Sequence, residues 1–337
     1  LEYRLLSQAY LQARQNIDAQ KPIIALAGSI HVGDVNPRVT EIVDQLIDDG
    51  YLPARSSIAP VDLYSQDIAD AVKALQRDYG IREDGIVGSN TLGVLTLGPG
   101  DRARTLAVAL ERRRWLSRTP PATRIDVNTA AAELRYYRDG QLVDRRKVIV
   151  GEPDRETPPL GSPIYRLVAN PTWTVPKSIP VSRATVRAKN MRRINGYWVQ
   201  PSGPDNALGL VKFDMKNNQA IYLHDTAAPE LFERSQRHLS HGCVRVSDAL
   251  GFAAMLADQE GVGDAWANAH ASGNYEIVDL PREIPVRLLY HNAFVGDDGK
   301  VAFRTDPYGW NDAVAVQLGF ADAKTRHAKA TAIDIGP

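Results

Sequence analysis

Tyr222-Leu223-His224-Asp225-Thr226, a gap of fifteen residues after His224, then Ser240-His241-Gly242-Cys243-Val244-Arg245-Val246: this stretch holds the only cysteine of the chain and three of its seven histidines. A lone thiol is either a small buried apolar group or a reactive one, and these neighbours favour the second. The thiolate is the attacking form, and an ordinary thiol titrates near ~8.5. A nearby imidazole can take its proton. Gly242 allows a tight turn and a close approach of substrate to backbone. N–H groups in such a turn stabilise an oxyanion by ~3–4 kcal/mol per donor. In the alternating run Cys-Val-Arg-Val, Arg245 shares the face of Cys243 and can hold a carboxylate or a neighbouring loop. Two histidines can serve as the base. His241 is two residues from the thiol, where its geometry depends on the turn. His224 ends a strand-like run and can face the cysteine across a sheet. The residues alone leave that choice open.

His224, His238, His241 and Cys243 also count as four zinc donors. Their spacing departs from the usual ligand pairs, and no His-Glu-x-x-His occurs. No metal and no cofactor is therefore expected. One cysteine excludes an intramolecular disulfide.

Working outward, the flanking sequence alternates like strands. Ile125 and Val127, then Leu134 and Tyr136, precede Asp139-Gly140, a hairpin signal. Seven prolines between Pro153 and Pro180 predict short strands joined by long ordered loops. Ser182 to Trp198 carries Arg183, Arg187, Lys189, Arg192 and Arg193 around few apolar residues, as a lid beside an anionic ligand would. Ser247 is placed to cap a helix holding Leu250, Met255 and Leu256. Pro285 to Phe294 reads as a late strand.

The first hundred residues are different. Asn36-Pro37 reads as a helix start. Val39, Ile42, Val43, Leu46 and Ile47 share one helical face, as do Ile68, Val72, Leu75 and Tyr79. Ser65 and Gly80 are the expected caps of the second of these helices. Asp84-Gly85-Ile86-Val87-Gly88 is a tight turn before a third, short helix. A linker helix follows, with Arg112, Arg113 and Arg114 as a solvated face.

The chain has 337 residues, 40 basic and 40 acidic. That is ample for about two domains. A zero formal charge disfavours nucleic acid as a partner, since such binders carry a positive excess. No apolar run reaches the ~18 residues of a membrane span. A start at Leu1 without Met reads as a trimmed or mature fragment, which leaves an exported origin open.

The His224 to Arg245 stretch resembles the signature of the L,D-transpeptidase (YkuD-type) catalytic domain of bacterial cell-wall enzymes. Asn170 to Pro176, Tyr222 to Thr226 and Arg304 to Gly309 resemble its larger periplasmic, YcbB-like branch with a lid insertion. The Gln76, Asp84-Gly85-x-x-Gly88 and Thr91-Leu92 pattern resembles the peptidoglycan-binding three-helix domain.

The resemblance implies an α+β chain with a mostly β, sandwich-like catalytic domain. The expected boundaries are an N-terminal helix and connector over 1–36, the three-helix domain over 37–98 and a linker helix over 99–123. The catalytic domain follows over 124–312, with a lid over about 179–200, and a polar C-terminal tail over 313–337. Cys243 is then the nucleophile and His224 the base and later the acid. Asp225 orients the imidazole through its backbone carbonyl, and backbone around Gly242 and Cys243 forms the oxyanion hole. Tyr222, Ser240, His241, Arg245 and Trp173 line the substrate site. One departure is His241, where some members of the branch have Ser.

The implied reaction joins peptidoglycan stem peptides in the periplasm or cell envelope. A tetrapeptide donor loses D-Ala through a thioester, and the side-chain amine of a diamino-acid acceptor completes a 3→3 cross-link. Carbapenem β-lactams are the implied inhibitors. Carboxypeptidase, endopeptidase or protein-to-wall coupling would use the same acyl-enzyme. A non-catalytic wall-binding protein is the remaining alternative.

Overall fold

The structure is a computed structural model that describes residues 2–17, 21, 24–54, 61–177, 179–296 and 298–321. The chain divides into two units, Leu1–Thr119 with His291–Pro337, and Pro120–Tyr290.

The first unit begins with five helices: α1 (Glu2–Arg14), α2 (Val39–Asp48), α3 (Gln66–Tyr79), α4 (Ser89–Leu95) and α5 (Pro99–Arg114). The helical spacing of apolar residues explains α2 to α4, which bury Ile42, Leu46, Val72, Leu75 and Leu95 in one core. Ser65 caps α3 by accepting from the Ile68 N–H, and Gly80 closes it. α2 starts at Val39 rather than at Pro37. The Asn36 side chain instead accepts the Arg38 N–H in a local turn.

The polar residues of the three-helix pattern hold this core together. Gln76 is almost fully buried. Its NH2 group faces Asp84 Oδ1, the Ile86 carbonyl and Thr91 Oγ1 at 3.0, 3.1 and 3.0 Å, and its Oε1 accepts the Gly85 N–H at 2.9 Å. One amide thus pins the 84–88 turn to α3 and α4. Gln76→Leu strands several buried groups at once and is expected to cost about 2–4 kcal/mol. Urea denaturation with hydrogen exchange over residues 76–91 checks this; unchanged protection would contradict it.

The second unit contains β1 (Arg124–Asn128), β2 (Glu133–Arg138), β3 (Gln141–Gly151) and β4 (Leu160–Ala169). An insertion follows: β5 (Trp173–Thr174), α6 (Arg183–Ala188), β6 (Arg192–Ile194) and β7 (Tyr197–Gln200). Then come β8 (Val211–Met215), β9 (Leu223–His224), β10 (His238–Ser240), β11 (Val244–Val246), α7 (Ala249–Gln259), α8 (Gly263–Ala271) and β12 (Glu276–Leu289). The sheet order is β10-β3-β11-β9-β8-β4-β12-β1-β2, and β2 also pairs with β3. The expected sandwich is therefore a closed circuit. The long strand β3 closes it: its first part pairs with β2 across the Asp139-Gly140 turn, and its last four residues pair with β11 and β10.

Period-two burial sends Ile125, Val127, Leu134 and Tyr136 into a core shared with Phe213 and Phe252. Phe252, on α7, packs 5.6 Å from Phe213 and edge-on to Tyr136. Asp248, not Ser247, caps α7, its side chain accepting the Gly251 N–H. The late strand also begins earlier than its prolines suggest, at Glu276. Its register shifts between Asp279 and Ile284, which accommodates Pro281.

The insertion is its own three-stranded sheet, β5-β7-β6. It is wider than the expected 179–200, because its first strand holds Trp173. Arg183, Arg187, Arg192 and Arg193 are all exposed on it.

The remaining described chain returns to the first unit as β13 (Ala293–Val295), β14 (Val301–Phe303) and α9 (Asn311–Gln317). The segment 291–312, expected in the catalytic domain, packs against α1 and α5 instead. Ala293 joins Leu6, Leu106 and Leu110 in a small core. Arg112 is not on a solvated face: it is buried and donates to Asn292 Oδ1, Asn311 Oδ1 and the Trp310 carbonyl. A buried guanidinium needs such acceptors, and this segment supplies them. Asp306, within the Arg304 to Gly309 block, accepts the Asn311 and Trp310 N–H groups at the start of α9. Residues 322–337 of the expected tail lie outside the described residues.

Candidate active site

β9 and β11 are parallel neighbours, with Leu223 opposite Val244 and His224 opposite Arg245. On its other side β9 pairs with β8, which sets Lys212 opposite His224. The imidazole strand therefore lies between two strands that each bring a cation level with it.

His224 is buried, and its Nδ1 lies 2.5 Å from the Asp225 carbonyl. A carbonyl only accepts, so the Nδ1 carries the proton and Nε2 is the basic nitrogen. Burial first, then Arg245 and Lys212, push the imidazole down to about 3. The Asp225 carbonyl bond opposes this shift. At neutral pH His224 is an uncharged base.

Cys243 lies between β10 and β11. The Tyr222 backbone N–H and hydroxyl both hydrogen-bond its sulfur. The Trp173 indole bonds the same hydroxyl. An indole N–H only donates, so the Tyr222 hydrogen is left for the sulfur. The sulfur also lies 3.6 Å from the Ala220 carbonyl, where Ala220 holds a left-handed conformation (φ 56). Burial pushes the thiol up, against the pull of Tyr222, Lys212 and Arg245. The residue as a whole is only half-buried. The Tyr222 and His224 rings lie 5.7 Å apart. Tyr222 thus joins the two sides of the site: its hydroxyl meets Trp173 and the Cys243 sulfur, and its ring lies beside His224.

The turn before the thiol is tightly tied. Gly242 has φ 112, a conformation that favours glycine. Its N–H donates to Ser240 Oγ at 3.2 Å, and Ser240 Oγ donates to the Cys243 carbonyl at 2.6 Å. The Gly242 N–H, expected as an oxyanion donor, is thereby engaged.

Other expected residues are placed differently. The Asp225 carboxylate turns away from the imidazole and accepts the Leu210 N–H at 2.9 Å; burial raises it. His241 is exposed, and its Nε2 accepts from Arg155, which also pairs with Glu152. Burial and then Arg155 lower its pKa. Arg245 is half-buried with its Nε unpartnered, and burial lowers its pKa. His238 is committed to the Thr129 carbonyl at 2.9 Å. Among the described residues no group of His, Cys, Asp and Glu can hold a metal ion.

Sequence reasoning missed Lys212, Arg155 and Thr157. Lys212 had a signal in the strand pattern of 210–215, since a polar residue there belongs on one face of a strand. Thr157 had none.

The family profile "L,D-transpeptidase catalytic domain" (YkuD) matches residues 122–265. This stretch is similar to an L,D-transpeptidase catalytic domain. The profile "Putative peptidoglycan binding domain" matches residues 35–95, within the first unit. A Haemophilus influenzae protein described as "Putative L,D-transpeptidase" is 32% identical over 217 residues, 56% of this chain. The chain spans 44% of that relative's length.

Among solved structures, an L,D-transpeptidase from Stackebrandtia nassauensis is similar at 14% identity and TM-score 0.29, over 79% of this chain and 97% of that one. A mutant Enterococcus faecium L,D-transpeptidase is similar at 13% identity and TM-score 0.27, over half of each chain. Among the described residues no helix is long and apolar enough to cross a membrane. The matched region includes β9, which carries His224, and the turn between β10 and β11, which carries Cys243.

Proposed function

We propose that this chain forms 3→3 cross-links between peptidoglycan stem peptides in the cell envelope, through a thioester on Cys243. The observation that carries this reading is the His224 Nδ1 bond to the Asp225 carbonyl, which leaves Nε2 as the only proton acceptor of a neutral imidazole.

Both partners of the reaction are neutral at rest, because burial raises the thiol and lowers the imidazole. The proton therefore moves from Sγ to Nε2 as sulfur attacks the amide carbonyl before the terminal D-Ala. The oxyanion forms at the turn of residues 240–243. Nε2 then gives its proton to the departing amine nitrogen, the C–N bond breaks, and D-Ala leaves. A side-chain amine of a second stem attacks the thioester, and the sulfur recovers its proton. Tyr222 donates to the sulfur while it carries charge. Arg245 offers an unpartnered cation to a stem carboxylate, and the basic insertion, linked to the thiol through Trp173, excludes water.

Disaccharide-tetrapeptide is the test substrate, with products read by mass. The expected products are one free D-Ala per cross-linked dimer. Tripeptide without dimer would make water the acceptor. An intact donor in the presence of a titratable thiol would refute the enzymatic reading.

A further inference from the structure

We propose that Thr157 is a positioning residue that aims the Cys243 N–H at the oxyanion; this rests on the reading of Cys243 as the nucleophile. Residues 152–157 fold back over the end of β3. Gly151 makes this approach feasible, since a Cβ there would lie 2.2 Å from the Arg155 carbonyl and 2.6 Å from the Thr157 nitrogen. The Glu152 N–H donates to the Ser240 carbonyl at 2.8 Å, which ties the fold-back to β10.

Thr157 is fully buried beneath the turn. Its Oγ1 accepts the Gly151 N–H at 2.8 Å and lies 2.7 Å from the Gly242 carbonyl. A hydroxyl has one hydrogen, and a carbonyl only accepts, so that hydrogen goes to Gly242. The Gly242–Cys243 peptide is planar and trans. Its carbonyl points inward at Thr157, so the Cys243 N–H points the opposite way.

Two N–H groups are candidates for an oxyanion at this turn. That of Gly242 is taken by Ser240 Oγ. Nothing among the described residues accepts from that of Cys243. The donor is thus a single N–H whose direction depends on the peptide before it. Gly242, at φ 112, has the backbone freedom to let that peptide swing. The Thr157 hydroxyl is the group that prevents it.

The test uses the full chain with Thr157→Val, Thr157→Ser and Thr157→Ala. Acylation by imipenem, followed by intact mass, requires the oxyanion donor. Alkylation by iodoacetamide requires the thiol alone. Thr157→Val is expected to slow acylation ~10²-fold, the scale of one lost oxyanion donor, and Thr157→Ser to restore it to within ~3-fold. Alkylation is expected to stay within about twofold throughout, because no oxyanion forms in it. Near-normal acylation of Thr157→Val would overturn the proposal. So would equal losses in both reactions, which would make Thr157 a support for the thiol in general. If the valine variant does not fold, the serine and alanine variants carry the same comparison. A parent protein that is alkylated but never acylated would instead overturn the nucleophile reading.

Discussion

Cys243→Ala is expected to abolish acylation by a carbapenem and release of D-Ala altogether. Intact-protein mass after incubation should show one adduct on the parent chain and none on the variant. The sequence has no second cysteine, so no other thiol can take over. The strained carbonyl of the β-lactam stands in for the scissile amide, and only a nucleophile already held beside a base opens it. The sulfur has two hydrogen bonds from Tyr222 and two cations nearby that favour its charged form. Alanine keeps the half-buried Cβ and removes only the reacting atom, so stability should change by less than about 1 kcal/mol. Binding to isolated sacculi should survive as well, since the matched peptidoglycan-binding domain lies in the other unit. An adduct that persists on the variant would refute the assignment. A parent that takes no adduct while its thiol still titrates would overturn the reading of Cys243 as the nucleophile.

Much of this site could be read from sequence because its chemistry is local. Gly242, Cys243 and Arg245 fall within four residues, and His224 is a fixed gap away on a run that alternates like a strand. Alternation also gave the hairpin at Asp139-Gly140, because turn and strands are neighbours in the chain. What stayed hidden depends on distant partners. Thr157 meets the Gly242 carbonyl from 85 positions away. Arg112, in a run of three arginines, has the pattern of a solvated face until Asn292 and Asn311 are seen around it. The same contacts move 291–312 out of the expected catalytic domain. The sheet closes because β3 is long enough to serve two neighbours in succession, which alternation alone does not show. His241 beside the thiol invites a catalytic role, yet the fold-back of residues 152–157 offers Arg155 as its partner.

His224→Ala should slow acylation by at least ~10²-fold, while His241→Ala stays within several-fold, the contrast expected between an acid–base group and a neighbour. The pH profile separates the two roles further. Protonating His224 removes the base, and its pKa is pushed down to about 3, far below the ordinary imidazole value of 6.5. The acid limb of the parent profile is therefore displaced downward, and its rate should be flat between about pH 5 and 8. Without the imidazole, attack must wait for solvent to take the thiol proton. Burial holds that thiol above its ordinary range, so the thiolate is scarce at neutral pH. The rate of His224→Ala should then climb about tenfold per pH unit through this window, as the thiolate fraction does. A flat profile for His224→Ala would mean that another group takes the proton. A larger loss in His241→Ala would make that group His241, and would require its ring to leave Arg155 and turn to the thiol.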